Sequence, residues 1–403
     1  MMEGLVPALK KRRTRRAKKG SGFLQLFISK RLIHGAAAAL LGIFVPIFIY
    51  ETTGREFFIV GGYYALLSLL YALFLVPGMQ ITNALGFSRT LVLGGVFSVV
   101  LYALMIFMNE DNFWTILPFL TIAIVGFRIF HWVPYHVDFS LFTKPGERGR
   151  MVSLSMATIA FMGVVGPILA GFIIQQTSYN TLFAIAVALL IAATISYAFV
   201  PETKTKFTWS YRQTLANMFS KKYAGLTFGE AANGVEVAVT TIVWPIFLYE
   251  LLDGDVFEIG AVSTIIVGAT IVIQLFVGKY LDAKEGNHEK TLKVGSTLYA
   301  AGWILKIFVL SAAQVFFVGL YHNIVKIFTK TPYSAIIYDM SAEQGKYVDE
   351  FTVLREMSGH TGRFLGLTGI AILSLYIPIG WTFVIAAVAS IALNMIYRLE
   401  AES

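Results

Sequence analysis

Two basic side chains stand at matching places inside long apolar stretches of the sequence. Arg128 and Lys326 are separated by 198 residues. Each shares a helical face with a histidine, His131 in the first case and His322 in the second. At mid-depth in a membrane a charge costs at least about 2.5–3.5 kcal/mol, so such a residue needs a partner, water or a function. The pair therefore predicts a basic site for an anionic group; the alternative is that carboxylates pair with both side chains for structural reasons.

Acidic residues occur in a third apolar stretch. Glu230, Asn233 and Glu236 are three positions apart and fall on one stripe of a predicted helix. A carboxyl group in such a setting can take up and release a proton near neutral pH. We predict proton coupling at Glu236, or at Glu230 nearer the predicted inner surface. The competing interpretation is a static salt bridge from Glu236 to Arg128 or Lys326.

Ionisable residues also occur near the end of the chain. Glu356, His360 and Arg363 fall on one face of a predicted helix. We interpret them as an inner gate or as a cluster that ties this helix to its neighbours, with the structural role favoured. Lys306 lies about 8 Å from the outer end of its predicted helix, so we expect it to snorkel outward.

No pattern of a metal site or an enzyme accompanies these residues. Pro134 separates His131 from His136 and Asp138, and no further run of ligands follows, so we predict no metal. The chain has no Cys, which excludes disulfides and thiolate metal sites. It also lacks a nucleophile elbow, an HExxH motif, a phosphate-binding loop and a dinucleotide fingerprint. We therefore predict no enzymatic activity and no cofactor.

The elements that must position these residues are apolar segments. Only 14% of the 403 residues are charged and 57% are apolar, whereas a soluble domain carries roughly 25% charged residues. Mean hydropathy is +0.70, and we predict an all-α integral membrane protein. A spanning helix needs about 20 mostly apolar residues. Twelve segments meet this requirement, at 32–50, 57–80, 89–108, 113–139, 151–175, 181–200, 224–249, 256–280, 291–312, 315–338, 353–376 and 379–397.

Basic residues are unevenly distributed among the predicted loops. Loops on the side of the N-terminus hold nearly all of the loop Lys and Arg, whereas loops on the other side hold Arg55 and most of the loop acids. This asymmetry predicts that both termini are cytoplasmic, in a cell (inner or plasma) membrane. Eight basic residues lie within 10–19. We interpret the tail, 1–31, as a cytoplasmic anchor to anionic lipid, with nucleic acid as the less favoured partner.

The chain contains an internal repeat. Pro46-Ile-Phe-Ile-Tyr-Glu51 and Pro245-Ile-Phe-Leu-Tyr-Glu250 are near copies, and their offset of 199 residues is about half the chain. Other Pro, Gly and charged positions match at nearly the same offset. The repeat predicts an N-terminal six-helix bundle at 32–200, a cytoplasmic linker at 201–222 and a C-terminal six-helix bundle at 223–403. Parallel halves of this kind are one plan of secondary transporters.

Three motifs add to the repeat. Gly278-Lys-Tyr-Leu-Asp282 ends the eighth predicted helix, and its first-half copy begins at Gly78, at the end of the second. The fifth predicted helix contains Gly166-Pro167 and Gly171, and the sixth ends in Pro201-Glu-Thr-Lys204. With these motifs the chain resembles the major facilitator superfamily over nearly its whole length, although Thr82 stands where that family has Asp.

The resemblance implies a fold of 12 transmembrane helices in two pseudo-symmetric six-helix bundles. It implies that the first, fourth, seventh and tenth helices line a central cavity. The residues expected to bind a solute there are Arg128, His131, Lys326, His322, Asn323, His34 and Asn233. Those assigned to gating or family motifs are Gly78, Gly278, Asp282, Gly166, Pro167, Gly171, Glu356 and Arg363.

We therefore predict a secondary active transporter for a small organic solute with an anionic group. It is expected to act as a monomer, with protons as the coupling ion, by alternating access of its two halves. One alternative is a drug or lipophilic-compound exporter that exchanges protons, which the fifth-helix motif and the 33 Phe and 19 Tyr favour. Another is a receptor or scaffold on the same fold that transports nothing. An intramembrane enzyme is the most remote alternative.

Overall fold

The computed structural model describes residues 22–142, 148–202, 207–281, 288–344 and 347–398. Every regular element within these ranges is a helix. In chain order the helices are α1 (His34–Leu41), α2 (Phe44–Thr52), α3 (Phe57–Leu85), α4 (Phe87–Ile106), α5 (Phe113–Phe142), α6 (Arg148–Gln176), α7 (Tyr179–Tyr197), α8 (Tyr211–Met218), α9 (Ala224–Ala238), α10 (Trp244–Leu251), α11 (Val256–Leu281), α12 (His288–Ile307), α13 (Ala312–Glu343), α14 (Val348–Leu373), α15 (Phe383–Ala392) and α16 (Met395–Arg398).

Eight helical stretches in the described ranges are long and apolar enough to cross a membrane. They make the chain a multi-pass membrane protein, and the total of twelve spans remains a prediction. Three other long helices, α12, α13 and α14, carry more ionisable residues, which lowers their mean hydropathy. The eight stretches are Gly22–Leu41, Phe57–Leu85, Phe87–Ile106, Phe113–Tyr135, Leu154–Gln176, Tyr179–Tyr197, Lys221–Leu251 and Val256–Gln274.

Serine side chains begin three of the helices. The hydroxyl of Ser178 accepts a hydrogen bond from a backbone N–H in the first turn of α7, and Ser311 does the same for α13. Ser210 begins α8 with a reciprocal arrangement, because the Gln213 side chain also accepts from the Ser210 N–H at 2.8 Å. These bonds satisfy N–H groups that have no partner inside the helix.

The two copies of the repeated hexapeptide interrupt their helices in similar places. Pro46 has no N–H to bond the carbonyl of Gly42, and α1 gives way to α2 by a turn at that point. Pro245 follows a π-helical turn, Val239–Val243, that joins α9 to α10. Left-handed backbone follows both copies, with φ of +68° at Gly54 and +80° at Gly254. Glycine adopts such values without steric cost.

The two hexapeptides meet at one end of the molecule. The Tyr249 hydroxyl donates to Glu51 Oε1 at 2.5 Å and accepts from Arg55 Nη2 at 3.2 Å. The Tyr50 and Tyr249 rings pack edge to face with centroids 6.3 Å apart. We call this side of the molecule the Tyr249 end. Hydrogen bonds between α2 and α10 therefore close it.

Helices that precede residue 198 pack mainly against one another, and those that follow residue 221 do the same. Two broad contacts join the groups, α3 against α14 and α6 against α11. Glycines allow helices to approach closely on α6: a Cβ at Gly166 would collide with Ala39 of α1, and one at Gly171 would collide with the backbone of Val256 at the start of α11.

At the opposite end, the chain between α7 and α8 is bonded to both groups of helices. Asn83 at the end of α3 makes two hydrogen bonds to the backbone of Phe207, at 2.7 and 3.0 Å. The next residue, Thr208, donates to Glu350 of α14 from its N–H at 2.8 Å and from its hydroxyl at 2.6 Å. The connection is therefore a strap between α3 and α14.

We expect Asn83→Ala to loosen this strap. The substitution removes both bonds to Phe207 and leaves its polar backbone atoms without their partner, which costs about 1–3 kcal/mol locally. Cleavage of the folded protein by trypsin between α7 and α8 should therefore become several-fold faster. The matched control is Asn217→Ala on α8, whose side chain makes no hydrogen bond within the described chain. An equal cleavage rate in Asn83→Ala and the control would contradict the role of the strap.

Candidate functional site

Two adjoining cavities lie between the groups of helices. The larger has a volume of about 550 Å³ and the smaller about 230 Å³. The smaller cavity extends toward the Tyr249 end, where Pro46 and Tyr64 line it. The larger reaches the opposite side, where Lys30 and Trp132 line it. Together they have the size of a site for a small organic molecule.

Arg128 of α5 and Arg363 of α14 line both cavities. They come from opposite groups of helices and lie close enough for their charges to repel each other. Within the described chain neither side chain makes a hydrogen bond, and neither has a carboxylate within 4.0 Å. Two unpaired guanidinium groups around one space make an anion-binding arrangement.

Histidine and aromatic rings form two sides of the larger cavity. On one side the ring of His34 stacks nearly parallel to that of His131, with centroids 4.7 Å apart and an interplanar angle of 8°. Phe127 continues this stack, 5.6 Å from His34. On the other side, His360 of α14 packs against Tyr71 of α3 with centroids 4.1 Å apart. Packing therefore fixes the orientation of three buried imidazoles, those of His34, His131 and His360.

Acidic groups lie in the part of the larger cavity away from the Tyr249 end. Glu230 has Arg355 Nε at 3.7 Å from Oε1 and accepts from Asn233 Nδ2 at 3.2 Å. Glu356 has Arg355 Nη2 at 3.8 Å and accepts from Trp132 Nε1 at 3.2 Å. The last bond crosses from α14 to α5. The Glu230–Arg355 distance is long for an ion pair, so the attraction between these two groups is weaker than in a close pair.

Glu236 has a different environment. It is 0% exposed, and Lys330 Nζ lies 2.6 Å from its Oε2. Its Oε1 accepts from Thr240 at 2.7 Å and from Tyr299 at 2.6 Å. Glu236 is outside the described walls of both cavities. This geometry favours the static ion pair over the proton carrier, although the partner is Lys330 rather than Arg128 or Lys326.

Sequence reasoning misses Lys330, although a signal for it exists. Lys330 follows Lys326 by four residues, so both lie on one face of α13. Lys330 Nζ also donates to Asn233 Oδ1 at 2.6 Å. It therefore connects the buried Glu236 to a residue that lines the larger cavity.

The other predicted residues of α13 lie elsewhere. Lys326, His322 and Asn323 are absent from the described walls of both cavities. His322 packs between the rings of Tyr299 and Trp303, at 4.3 and 4.6 Å. The structure thus brings together Arg128, His131, His34, Asn233, Glu230, Glu356 and Arg363, and it separates the α13 residues from them.

Lys306 corrects one expectation. It does not snorkel outward: the side chain is 4% exposed. Its Nζ lies 3.9 Å from the ring centroid of Trp244 and 4.1 Å from that of Trp303. Two aromatic faces attract an ammonium group and replace part of its hydration. Distance from the helix end is thus a poor guide to exposure when one ring of the same helix and one of a neighbouring helix enclose the side chain.

The predicted motif residues lie at helix contacts. A Cβ at Gly78 of α3 would collide with Ile129 of α5, so close packing requires glycine there. Pro167 stands inside α6 between the packing glycines. Gly278 belongs to α11, but the side-chain contacts of that part of the helix are not described. Asp282 lies outside the described residues. The gating roles of these residues remain predictions.

We expect Lys330→Met to destabilise the protein. It leaves the Glu236 carboxylate buried without its cation, which lowers the free energy of unfolding by about 3–5 kcal/mol. The double variant Glu236→Gln/Lys330→Met removes both charges and should recover most of this loss. Thermal unfolding in detergent measures both changes, with the exposed Lys293→Met as control. A double variant no more stable than Lys330→Met would contradict a structural ion pair.

Comparison with known proteins agrees with the fold. A family model described as Major Facilitator Superfamily matches residues 31–229. A curated relative, the uncharacterized protein YqgE of Bacillus subtilis (strain 168), is 20% identical over 250 residues. That match covers 59% of this chain and 56% of the relative, so the chain spans about half the length of the curated relative it matches.

A solved structure extends the similarity to nearly the whole chain. The crystal structure of a POT family transporter in complex with 5-aminolevulinic acid has a TM-score of 0.65 and covers 94% of each chain, at 12% sequence identity. At that identity the likeness concerns the fold. The family match over residues 31–229 and the shared fold together support a transporter of the Major Facilitator Superfamily.

Proposed function

We propose that the protein is a secondary active transporter that carries a small organic anion through the two cavities. The observation that carries this proposal is the pair of arginines, Arg128 and Arg363, which line both cavities without a carboxylate partner in the described chain. A buried charge without a counterion is costly. An anionic solute supplies that counterion and is held by charge-assisted hydrogen bonds.

The balance of charge in the larger cavity supports an anion over a cation. Its described wall has four basic and two acidic side chains, and the acidic ones contact Arg355. A lipophilic cation, the typical cargo of the drug-exporter alternative, would face two guanidinium groups that have no carboxylate within 4.0 Å in the described chain. The POT family transporter of similar fold holds 5-aminolevulinic acid, which is also a small organic acid. The basic residues are Lys30, Arg128, Arg355 and Arg363, and the acidic ones are Glu230 and Glu356.

Alternating access fits the contacts at the two ends. Bonds among Tyr249, Glu51 and Arg55 close one end, and the larger cavity extends toward the other. We assign the Tyr249 end to the outer surface, with both termini in the cytoplasm of a cell that bears the protein in its plasma membrane. The halves at 32–200 and 223–403 then rock about the arginine pair, with the basic tail on anionic lipid.

For proton coupling, the geometry favours Glu230. It lines the larger cavity, it is nearly fully buried, and its contact with Arg355 is long. Protonation of Glu230 would release Arg355 from its ion pair. Arg355 also contacts Glu356, and the Glu356 carboxylate accepts the hydrogen bond from Trp132. A proton on Glu230 is thereby linked to a contact between α14 and α5. Glu236, held by Lys330, is the second candidate.

The anion site predicts a loss of binding when either arginine is neutralised. Arg128→Gln and Arg363→Gln should each weaken binding of small organic carboxylates by about 10-fold to 100-fold, since a hydrogen bond to a charged group contributes about 1.5–3 kcal/mol. Thermal-shift screening of the purified protein with organic anions, cations and lipophilic compounds identifies the ligand, and calorimetry measures its affinity. The control is Arg212→Gln, an exposed residue of α8.

Two results would contradict this function. One is unchanged anion affinity in both cavity variants. The other is binding without flux: a receptor or scaffold binds the anion, whereas a transporter also moves the radiolabelled anion into proteoliposomes.

If Glu230 carries the coupled proton, Glu230→Gln should lose accumulation driven by a pH gradient but keep exchange of the anion. The amide cannot carry a proton, so accumulation of the labelled anion driven by a pH gradient should be lost. Exchange of labelled for unlabelled anion across the same vesicles should persist, because binding at the arginines remains. The exposed Glu110→Gln serves as control. Gradient-driven accumulation at the normal rate in Glu230→Gln would show that the proton travels by another group.

A further inference from the structure

A third cation lines the larger cavity apart from the arginine pair. Lys30 lies in the helical stretch Gly22–Leu41, is partly buried and forms part of the cavity wall. Its Nζ lies 5.9 Å from the ring centroid of Trp132 and 5.7 Å from that of Tyr135. These distances are at the limit of cation–π attraction, so the rings offset only part of the charge. Within the described chain no carboxylate lies within 4.0 Å of this ammonium group.

The cationic nitrogens of this wall are accessible to a solute. Lys30, Arg128 and Arg363 all line the larger cavity, and none of them makes a hydrogen bond within the described chain. The Nδ1 atom of His34 is sealed from solvent, whereas Lys30 Nζ and the guanidinium nitrogens keep accessible surface. An acid group in the cavity can therefore accept hydrogen bonds directly from each of the three side chains.

Lys30 stands at a distance from the arginine pair. Trp132 and Tyr135, the two rings beside its Nζ, follow Arg128 on α5 by four and seven residues. At 1.5 Å per residue, these positions are about 6–10 Å along the helix from Arg128. The cavity therefore has two centres of positive charge that lie one to two helical turns apart.

The charge of the cavity wall matches two negative charges. Four basic and two acidic side chains line the cavity, so the wall has a net charge of +2 when all six are ionised. Both acids, Glu230 and Glu356, contact the same cation, Arg355, at 3.7 and 3.8 Å. A solute with one acid group would leave one centre of positive charge without a counterion, which is costly in a buried site. A solute with two acid groups supplies a counterion to both.

We infer that the solute carries two separate acid groups, one bound by Arg128 and Arg363 and the other by Lys30. This rests on the proposed function, since the arginine pair holds the first acid group. It narrows the solute from a small organic anion to an organic dianion whose acid groups are at least one helical turn apart. A single doubly charged group at the arginines is a different arrangement, because it leaves Lys30 without a counterion.

Acids with the same carbon chain test the inference. Adipate and hexanoate differ in a second carboxylate, and adipic acid monoamide has a polar, uncharged group in its place. We expect adipate to bind the purified protein at least about tenfold more tightly than either, because a hydrogen bond to a charged group contributes at least that factor. Malonate should have a much smaller advantage over propionate, because its acid groups are too close together to reach both centres. Calorimetry or competition binding measures both ratios.

Substitutions locate the second acid group. Lys30→Met keeps the aliphatic chain but removes the charge, so it should lower the ratio of adipate to hexanoate affinity at least several-fold, chiefly by weakening adipate. Lys30→Arg keeps a cation and should retain most of the ratio. The matched control is Lys221→Met, at an exposed lysine outside the described cavity walls. Thermal unfolding confirms that each variant is folded.

The outcomes separate this inference from the function on which it rests. Equal affinity for adipate and hexanoate, with loss of both in Arg128→Gln, would overturn the inference and leave the anion site standing. A ratio that Lys30→Met leaves unchanged would also overturn it, and so would an advantage of malonate as large as that of adipate. If none of these acids binds, the tightest anion of the screen takes their place, and a single acid group on that anion would overturn the inference. If no small organic anion binds at all, the proposed function fails and the inference fails with it.

Discussion

Glu236 and Lys330 form a buried ion pair, and this pair determines which charges of the molecule are left for a solute. A buried charge is tolerated only when it is paired and hydrogen-bonded. Lys330, Thr240 and Tyr299 satisfy Glu236 away from the cavities. Glu236 is therefore not at the arginine pair, and within the described chain no carboxylate lies within 4.0 Å of those guanidinium groups. In the proposed function, a solute anion supplies the counterion.

The same constraint explains how the two groups of helices divide the chemistry. On α1 and α5 the cavity wall consists largely of stacked rings around His34 and His131, with Arg128 as its cation. The later helices hold the ion pairs of Glu236 with Lys330 and of Glu230 with Arg355, and they surround Lys306 with two tryptophan rings. Helices that share a repeat thus provide different functional groups, and under the proposed function binding and proton coupling would meet at the cavity between them.

Much of the fold can be predicted from sequence, because long apolar runs have one structural solution in a membrane. Arg128 is visible for the same reason, since a charge in such a run is conspicuous. It is harder to predict from sequence which face of a helix lines the cavity, because that depends on how the helix is rotated against its neighbours. Lys326 has the depth of a cavity residue, yet α13 directs its lysines toward Glu236. Arg363, predicted as a gate, lines both cavities.

The most direct measurement of the central claim is the position of a bound anion. The tightest-binding carboxylate from the screen, labelled with ¹³C at its acid carbon, is bound to protein with ¹⁵N-labelled arginine, and solid-state NMR measures the carbon–nitrogen distances. If the carboxylate is bonded to both guanidinium groups, its carbon should lie about 4 Å from the nearest nitrogens of two arginines. Arg128→Gln should remove one of these two short distances, and Arg363→Gln should remove the other. A carboxylate remote from both arginines, in a protein that binds it tightly, would contradict the account.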